Sequence, residues 1–171
     1  MRHISLIGAA LLFVATHAAF ACDCDYGGEF LKVARASEFV ALVKMTRYLR
    51  FDSTFRRPMP LSMEVEVIDV YKGKETRKTV TVWGNNGMLC RPYLSNFDTG
   101  KHYFIAFDKA DDGSKGYVHK NERPTDYTIS VCGEYWLTAD IGKQTAAGEA
   151  IGKNTVTSEI KLADIEASLT K

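Results

Sequence analysis

The sequence lacks the short motifs that identify most hydrolases and nucleotide-binding enzymes. It contains no G-x-S-x-G, no H-E-x-x-H and no phosphate-binding glycine loop. Histidine is scarce as well: after residue 21 only His102 and His119 occur, and their spacing is not that of metal ligands. We expect His102 to begin a strand and His119 to lie in a polar loop. Glu64 and Glu66 share one face of a predicted strand, where outward-facing charge is ordinary. We therefore expect a protein that is not an enzyme and holds no cofactor.

Neither sign of charge is in excess. The chain carries 22 Lys and Arg residues against 21 Asp and Glu residues. Arg2 is the only Lys or Arg among the first 21 residues and no acid occurs there, so removing that segment leaves 21 basic against 21 acidic residues. A near-neutral protein has no general attraction for phosphate backbones or anionic lipid. Nucleic acid and membrane surfaces are therefore not expected as main partners.

Long hydrophobic runs are missing too. The apolar run at 4–14 is too short to span a bilayer. A positive charge precedes it, and an Ala-Phe-Ala sequence stands directly before Cys22, which is the layout of a secretory signal peptide with its cleavage site. We expect residues 1–21 to be a signal peptide cleaved after Ala21, and the product to be soluble and either secreted or periplasmic. The remaining residues, 22–171, show no repeat or linker and are predicted to form one domain.

Cysteine is limited to Cys22, Cys24, Cys90 and Cys132. An even number in an oxidising compartment predicts two disulfides, and three connectivities are open from the sequence. An alternative is a lipoprotein acylated at Cys22. The residues before Cys22 match a lipobox poorly, and acylation leaves three cysteines to pair, so cleavage to a free amino terminus is the favoured interpretation.

Hydrophobic periodicity predicts a mainly β chain with a short helix at each end. Between the second and third predicted elements, residues 46–60 are polar and carry two prolines, which predicts a long loop. Short strands with frequent turns favour a small closed antiparallel barrel. The predicted elements are a helix at 29–37, strands at 39–45, 62–71, 78–83, 102–108 and 127–137, and a helix at 163–169.

Four stretches, taken in order, resemble one known family. They are CDC at 22–24, MEVEVIDVYKGKE at 63–75, MLCRPYLSNFDTGKHYFIAF at 88–107 and YTISVCGEYW at 127–136. Together they resemble the tissue inhibitors of metalloproteinases and the wider netrin-like domains, from the amino-terminal Cys-x-Cys to the last cysteine-bearing strand. The resemblance implies an all-β fold with flanking helices, a five-stranded closed antiparallel barrel of the oligonucleotide/oligosaccharide-binding (OB) type. It also implies the disulfides Cys22–Cys90 and Cys24–Cys132.

The same resemblance implies a function. In this family the amino group and carbonyl oxygen of the first mature residue, here Cys22, chelate the zinc of a target protease. Binding of this kind needs a deprotonated amine, whose ordinary pKa is about 8, and should weaken in acid. The next residue, here Asp23, points into the protease specificity pocket. The implied contact residues are Cys22, Asp23, Cys24 and Asp25, then Gly87, Met88, Leu89 and Cys90, with a second contact loop at Arg47, Tyr48 and Arg50.

The chain departs from that family at Asp23, where a small hydroxyl residue is usual. A carboxylate in an apolar pocket is costly unless it is paired, so a target with a cationic pocket is expected. The family's third disulfide and its second, smaller domain have no counterpart here. The alternative to an inhibitor is a non-inhibitory netrin-like module of the cell envelope, stapled by two disulfides. On either interpretation we expect a monomer that binds a protein.

Overall fold

A computed structural model describes residues 23–53, 57–114, 116–148, 150 and 158–169. The predicted signal segment lies outside these residues. The strands are β1 (Phe39–Asp52), β2 (Met59–Lys72), β3 (Thr79–Trp83), β4 (His102–Lys109), β5 (Tyr127–Thr128), β6 (Trp136–Asp140), β7 (Thr145–Gly148) and β8 (Ser158–Lys161). The helices are α1 (Phe30–Ala36) and α2 (Leu162–Leu169), with one 3₁₀ turn at Leu94–Asn96. Neither α1 nor α2, the helices of the described part of the chain, is long and apolar enough to span a membrane.

Five of the strands close into a barrel. β1 pairs with β2, β2 with β3, β3 with β5, β5 with β4, and β4 returns to β1. This confirms the predicted fold class, an all-β barrel of the OB type with flanking helices. Four of the five pairings are antiparallel. The fifth, between β3 and β5, is parallel, because a closed ring with an odd number of strands cannot be antiparallel at every pairing. The sheet continues from β4 through strands β6, β7 and β8, and each of these strands is antiparallel to its neighbour.

Two apolar cores share β4. Along this strand Tyr103, Ile105 and Phe107 face the barrel interior, whereas Phe104 and Ala106 face a second core beneath α1 and α2. Alternate residues of a strand point to opposite faces, so a strand buried on both faces is apolar throughout. That is why β4 and the first half of β1 appear in the sequence as continuous apolar runs.

The segment 46–60 is not the long loop that was predicted. β1 continues to Asp52 and β2 begins at Met59, so the segment forms the two arms of a β-hairpin, with Tyr48 paired opposite Met63. Beyond Met45 every residue of β1 is half-buried or exposed, and the polar residues Thr46, Arg47 and Arg50 interrupt the apolar run. The prediction failed because this part of the strand has the composition of a loop.

The predicted strand at 127–137 is also wrong. β5 ends at Thr128 and β6 begins at Trp136, with an irregular segment between them. That segment leaves the sheet to lie against the amino-terminal residues, where Gly27 N donates to Cys132 O at 2.6 Å. The closing strands β7 and β8 were not predicted. Helix α2 agrees with the helix predicted at 163–169.

Candidate functional site

The described amino-terminal residues are fixed to the segment between β5 and β6. A disulfide joins Cys24 to Cys132, with their Cα atoms 5.9 Å apart, and it is the pairing that the family resemblance implies for these two cysteines. Gly27 N donates to Cys132 O at 2.6 Å, and Glu134 N donates to Gly28 O at 2.9 Å. One covalent bond and two backbone hydrogen bonds therefore hold the first described residues against the barrel.

The residue predicted to chelate zinc, Cys22, lies outside the described residues, and so do its amino group and carbonyl oxygen. Its predicted partner Cys90 is disulfide-bonded. The next residues of the predicted site, Asp23, Cys24 and Asp25, are exposed. No three His, Cys, Asp or Glu side chains within the described ranges are grouped so that they could hold a metal ion.

The loop at 84–92 lies beside the amino-terminal segment. Val131 N donates to Cys90 O at 3.3 Å, and the neighbouring Cys132 carries the disulfide to Cys24, so both predicted contact segments meet at residues 131–132. We call residues 23–26 and 87–90 the N-terminal ridge. Met88 at its tip is 63% exposed, the highest fraction of any large apolar side chain in the described part of the chain.

Hydrogen bonds from backbone amides to two asparagine side chains fix the tip of this ridge. Asn85 Oδ1 accepts from Gly87 N at 2.7 Å and from Leu89 N at 3.0 Å. Asn86 Oδ1 accepts from Met88 N at 3.1 Å. Gly87 has φ 96°, a left-handed conformation that suits glycine. These hydrogen bonds fix the backbone of the loop beneath the exposed Met88 side chain.

Buried polar groups anchor the base of the same loop. Arg91 and Glu122 form an ion pair with Nη1–Oε2 and Nη2–Oε1 distances of 2.9 and 2.8 Å. His119 lies in a loop, as predicted, but it is only 3% exposed; its Nε2 donates to Gly84 O at 2.8 Å, and its ring stacks on Trp83. Sequence patterns gave no signal for this cluster, since its members come from separate loops.

The three residues of the second predicted contact loop lie in different surroundings. Arg47 is paired with Glu64 through two N–O contacts of 3.1 Å, and these hydrogen bonds lower the pKa of the Glu64 carboxyl. Tyr48 faces the other way and donates to Phe97 O at 2.8 Å, and burial raises the pKa of its phenol. Arg50 is exposed and borders a separate cleft.

That cleft has a volume of about 230 Å³ and lies on the outer face of β1, β2 and β3, beneath the connection between β4 and β5. We call it the outer cleft. Its lining residues are spread over more than seventy positions, so no sequence motif could indicate it. They are Leu49, Arg50, Ser62, Thr81, Trp83, Asn121, Arg123 and Asp126.

A larger groove, about 530 Å³, lies where β4 begins and the β6–β7 hairpin turns. Its lining includes Lys101, His102, Asp140 and Lys143. Burial, and secondarily the charge of Lys44, lowers the pKa of His102. None of the predicted contact residues lines this groove.

No protein-family model matches the chain, and no curated protein is detectably similar to it. The fold class thus comes from the structure, whereas the relation to metalloprotease inhibitors rests on the four sequence stretches alone.

Proposed function

We propose that this chain is an exported protein-binding module, and that it inhibits a zinc metalloprotease through the mature amino terminus at Cys22. The observation that carries the proposal is the placement of residues 23–28. A chain terminus ordinarily frays. Here the disulfide at Cys24 and the hydrogen bond at Gly27 hold the segment beside the ordered loop 87–90.

The proposed role of Cys22 uses only its backbone atoms and not its sulfur. Its amino nitrogen and carbonyl oxygen would form a five-membered chelate with a zinc ion that belongs to the target and would displace the water at the open coordination position. Two features support a bridge from Cys22 to Cys90: Cys90 is disulfide-bonded, and Cys24 and Cys132 are bonded to each other. The chelate needs cleavage after Ala21, because any preceding residue converts the amine to an amide.

Exposed apolar groups beside this terminus support a protein partner over a small ligand. Tyr26, Met88 and Val131 are 43%, 63% and 38% exposed. Their segments are joined by the Cys24–Cys132 bridge and by the hydrogen bond from Val131 N to Cys90 O. Tyrosine and methionine are enriched in protein interfaces, and isolated exposed apolar residues carry no such meaning.

The exposed carboxylate of Asp23 would set the choice of target. In an apolar specificity pocket it would be desolvated without a partner, at a cost of several kcal/mol. We therefore propose a protease whose pocket presents a cation or several hydrogen-bond donors. Replacement of Asp23 by threonine should shift inhibition toward proteases with apolar pockets.

The deciding experiment compares the mature protein starting at Cys22 with a version that carries one added amino-terminal alanine. Both are assayed against zinc endopeptidases that differ in pocket charge. We expect inhibition by the first form and a loss of at least 100-fold for the second, because the extra residue removes the chelating amine. Equal inhibition by both forms contradicts chelation by the terminus.

The non-inhibitory alternative gives a different result in the same assay. A module that only binds an envelope protein leaves every protease active, and both forms recover the same partner in a pull-down. Mass spectrometry of the exported protein supplies the control: a free Cys22 amine is required by the inhibitor proposal, and an acylated one excludes it.

A further inference from the structure

The outer cleft is formed by a row of residues in register across three strands. Arg50 on β1 is paired opposite Ser62 on β2, and Ser62 is paired opposite Trp83 on β3. The opposite wall comes from Asn121 and Arg123, which follow β4. Two separate parts of the chain thus form a concave site with convergent polar groups. None of its lining residues belongs to the N-terminal ridge.

The floor of the cleft carries a polar group that the fold does not use. Ser62 is fully buried, and its Oγ has no hydrogen-bond partner among the described residues. A buried hydroxyl left in this state costs about 1–3 kcal/mol. Alanine would fill the same space without that cost, so the serine is explained if its hydroxyl bonds to something that enters the cleft.

Two guanidinium groups border the cleft without competing partners. Neither Arg50 nor Arg123 forms an ion pair with any residue that the structure describes. The one carboxylate of the lining, Asp126, is already engaged: its Oδ2 accepts from Trp83 Nε1 at 2.9 Å and from Arg123 N at 3.2 Å. The cleft therefore carries one net positive charge, and its cations are free to bind a ligand.

The walls are rigid. The Trp83 ring stacks on His119 with 5.2 Å between ring centroids, and its indole hydrogen is bonded to Asp126. A preformed pocket loses little entropy when it binds. At about 230 Å³ the space suits an inorganic ion or one sugar ring and is smaller than a typical cofactor pocket.

We propose that the outer cleft binds the oxyanion group of a small ligand, held between the guanidiniums of Arg50 and Arg123 and accepting the hydroxyl hydrogen of Ser62. Guanidinium forks match carboxylate, sulfate and phosphate oxygens. The same oxyanion chemistry is available from free inorganic anions and from acidic sugars, and the test separates these two sources.

The two indole N–H signals of the protein report on the cleft directly in ¹H–¹⁵N spectra. Trp83 lines the cleft, whereas Trp136 packs on Phe97, and Trp136→Phe assigns the two signals. The titrants are inorganic phosphate, sulfate and glucuronate, with glucose and chloride at equal ionic strength as controls. We expect that an oxyanion shifts the Trp83 signal saturably and leaves the Trp136 signal unchanged. Tighter binding of glucuronate assigns an acidic sugar, and tighter binding of phosphate or sulfate assigns a free anion.

Variants make the assignment specific. Arg50→Ala and Arg123→Ala should each raise the dissociation constant at least tenfold. Lys120→Ala is the matched control, since it removes an exposed charge from the same connection without touching the cleft. Ser62→Ala should weaken binding while leaving the unliganded protein equally stable or more stable.

Three binding results overturn the proposal: no saturable Trp83 shift with any of the three oxyanions, an equal shift with chloride, or binding that survives loss of both arginines in a protein with an unchanged circular dichroism spectrum. A destabilised Ser62→Ala protein would also contradict it, because it would show that the hydroxyl is bonded within the fold. Adding alanine before Cys22 should leave oxyanion binding intact. Failure of the inhibitor proposal can therefore be distinguished from failure of this one.

Discussion

Arg91 and Glu122 form a buried ion pair between two loops that carry different surfaces. Their side chains are 12% and 0% exposed, and Glu122 Oε2 accepts a second hydrogen bond from His119 N at 3.0 Å. Arg91 closes the loop that presents Met88, while Glu122 lies in the connection that walls the outer cleft. One pair of charges therefore holds both candidate surfaces in position.

Replacing Arg91 by alanine should destabilise the protein by about 3 kcal/mol, because it leaves the Glu122 carboxylate buried without its cation. The double replacement Arg91→Met with Glu122→Met should recover most of this loss, since it removes both charges and keeps apolar volume. Urea unfolding of the three proteins at neutral pH measures the difference.

The matched control is Arg47→Ala. Arg47 likewise forms an ion pair with Glu64, but its side chain is 65% exposed. Exposed pairs contribute about 0–1 kcal/mol because solvent screens them. If Arg91→Ala costs no more than Arg47→Ala, the buried pair does not anchor the two loops.

The parts of the barrel that the sequence predicted well are those buried on both faces. Phe104 and Ile105 enter different cores, so β4 is a continuous apolar run with only one plausible secondary structure. The hairpin arms near Arg47 and Pro60 were predicted as loop because polar residues are frequent in the β1 arm and two prolines stand where β2 begins. Their pairing depends on contacts between strands that local composition does not contain.

Of the two candidate surfaces, the sequence indicated the N-terminal ridge but not the outer cleft. The family resemblance implied that residues near Cys24 and Cys90 lie together, although the sequence alone left three disulfide connectivities open. The outer cleft could not be predicted, because Arg50, Ser62 and Trp83 become neighbours only once the register of three strands is set. β-bulges between Tyr48 and Phe51 shift that register, and no spacing rule anticipates them.

The Glu75 carboxylate should make the free energy of unfolding depend on pH in the acid range. Its carboxylate accepts from Arg77 Nη2 at 2.6 Å and from the Tyr127 hydroxyl at 2.8 Å, and hydrogen bonds from Arg77 above all lower its pKa from 4.5 to about 2. Because the folded pKa is the lower one, the stabilisation is complete above pH 4.5 and is lost as the pH falls toward 2.

Glu75→Gln should therefore lower the free energy of unfolding by about 2 kcal/mol at neutral pH and by little at pH 2.5. The value at neutral pH allows for solvent screening, because Arg77 is partly exposed. Urea unfolding at a series of pH values measures the effect. Glu66→Gln is the control, since its 3.4 Å pair with Lys78 is exposed and should contribute less than about 0.5 kcal/mol. A Glu75 effect that is equal at both pH values contradicts the linkage.

Met88→Ala tests whether the ridge tip is a contact. The side chain is 63% exposed, so the free energy of unfolding should change by less than about 0.5 kcal/mol. Inhibition of the target protease, or capture of the envelope partner, should weaken about tenfold because a buried interface side chain is lost. Ile68→Ala is the matched control, as Ile68 is 47% exposed on β2, outside the ridge. Equal binding by the two variants would remove Met88 from the contact surface.

The Cys24–Cys132 bridge can act on the unfolded chain, on the folded ridge, or on both. It spans 108 residues, so chain entropy sets a ceiling of about 4–5 kcal/mol on its contribution, and we expect Cys24→Ser with Cys132→Ser to cost about 2–4 kcal/mol. Amide exchange separates the two effects. The Gly27 and Glu134 amides, which bond across the two segments, should exchange faster, while the Gly84 amide, bonded to Leu61 O, should change only with global stability. If stability falls and all three amides change alike, the bridge acts on the unfolded chain alone, and the ridge is held by its hydrogen bonds instead.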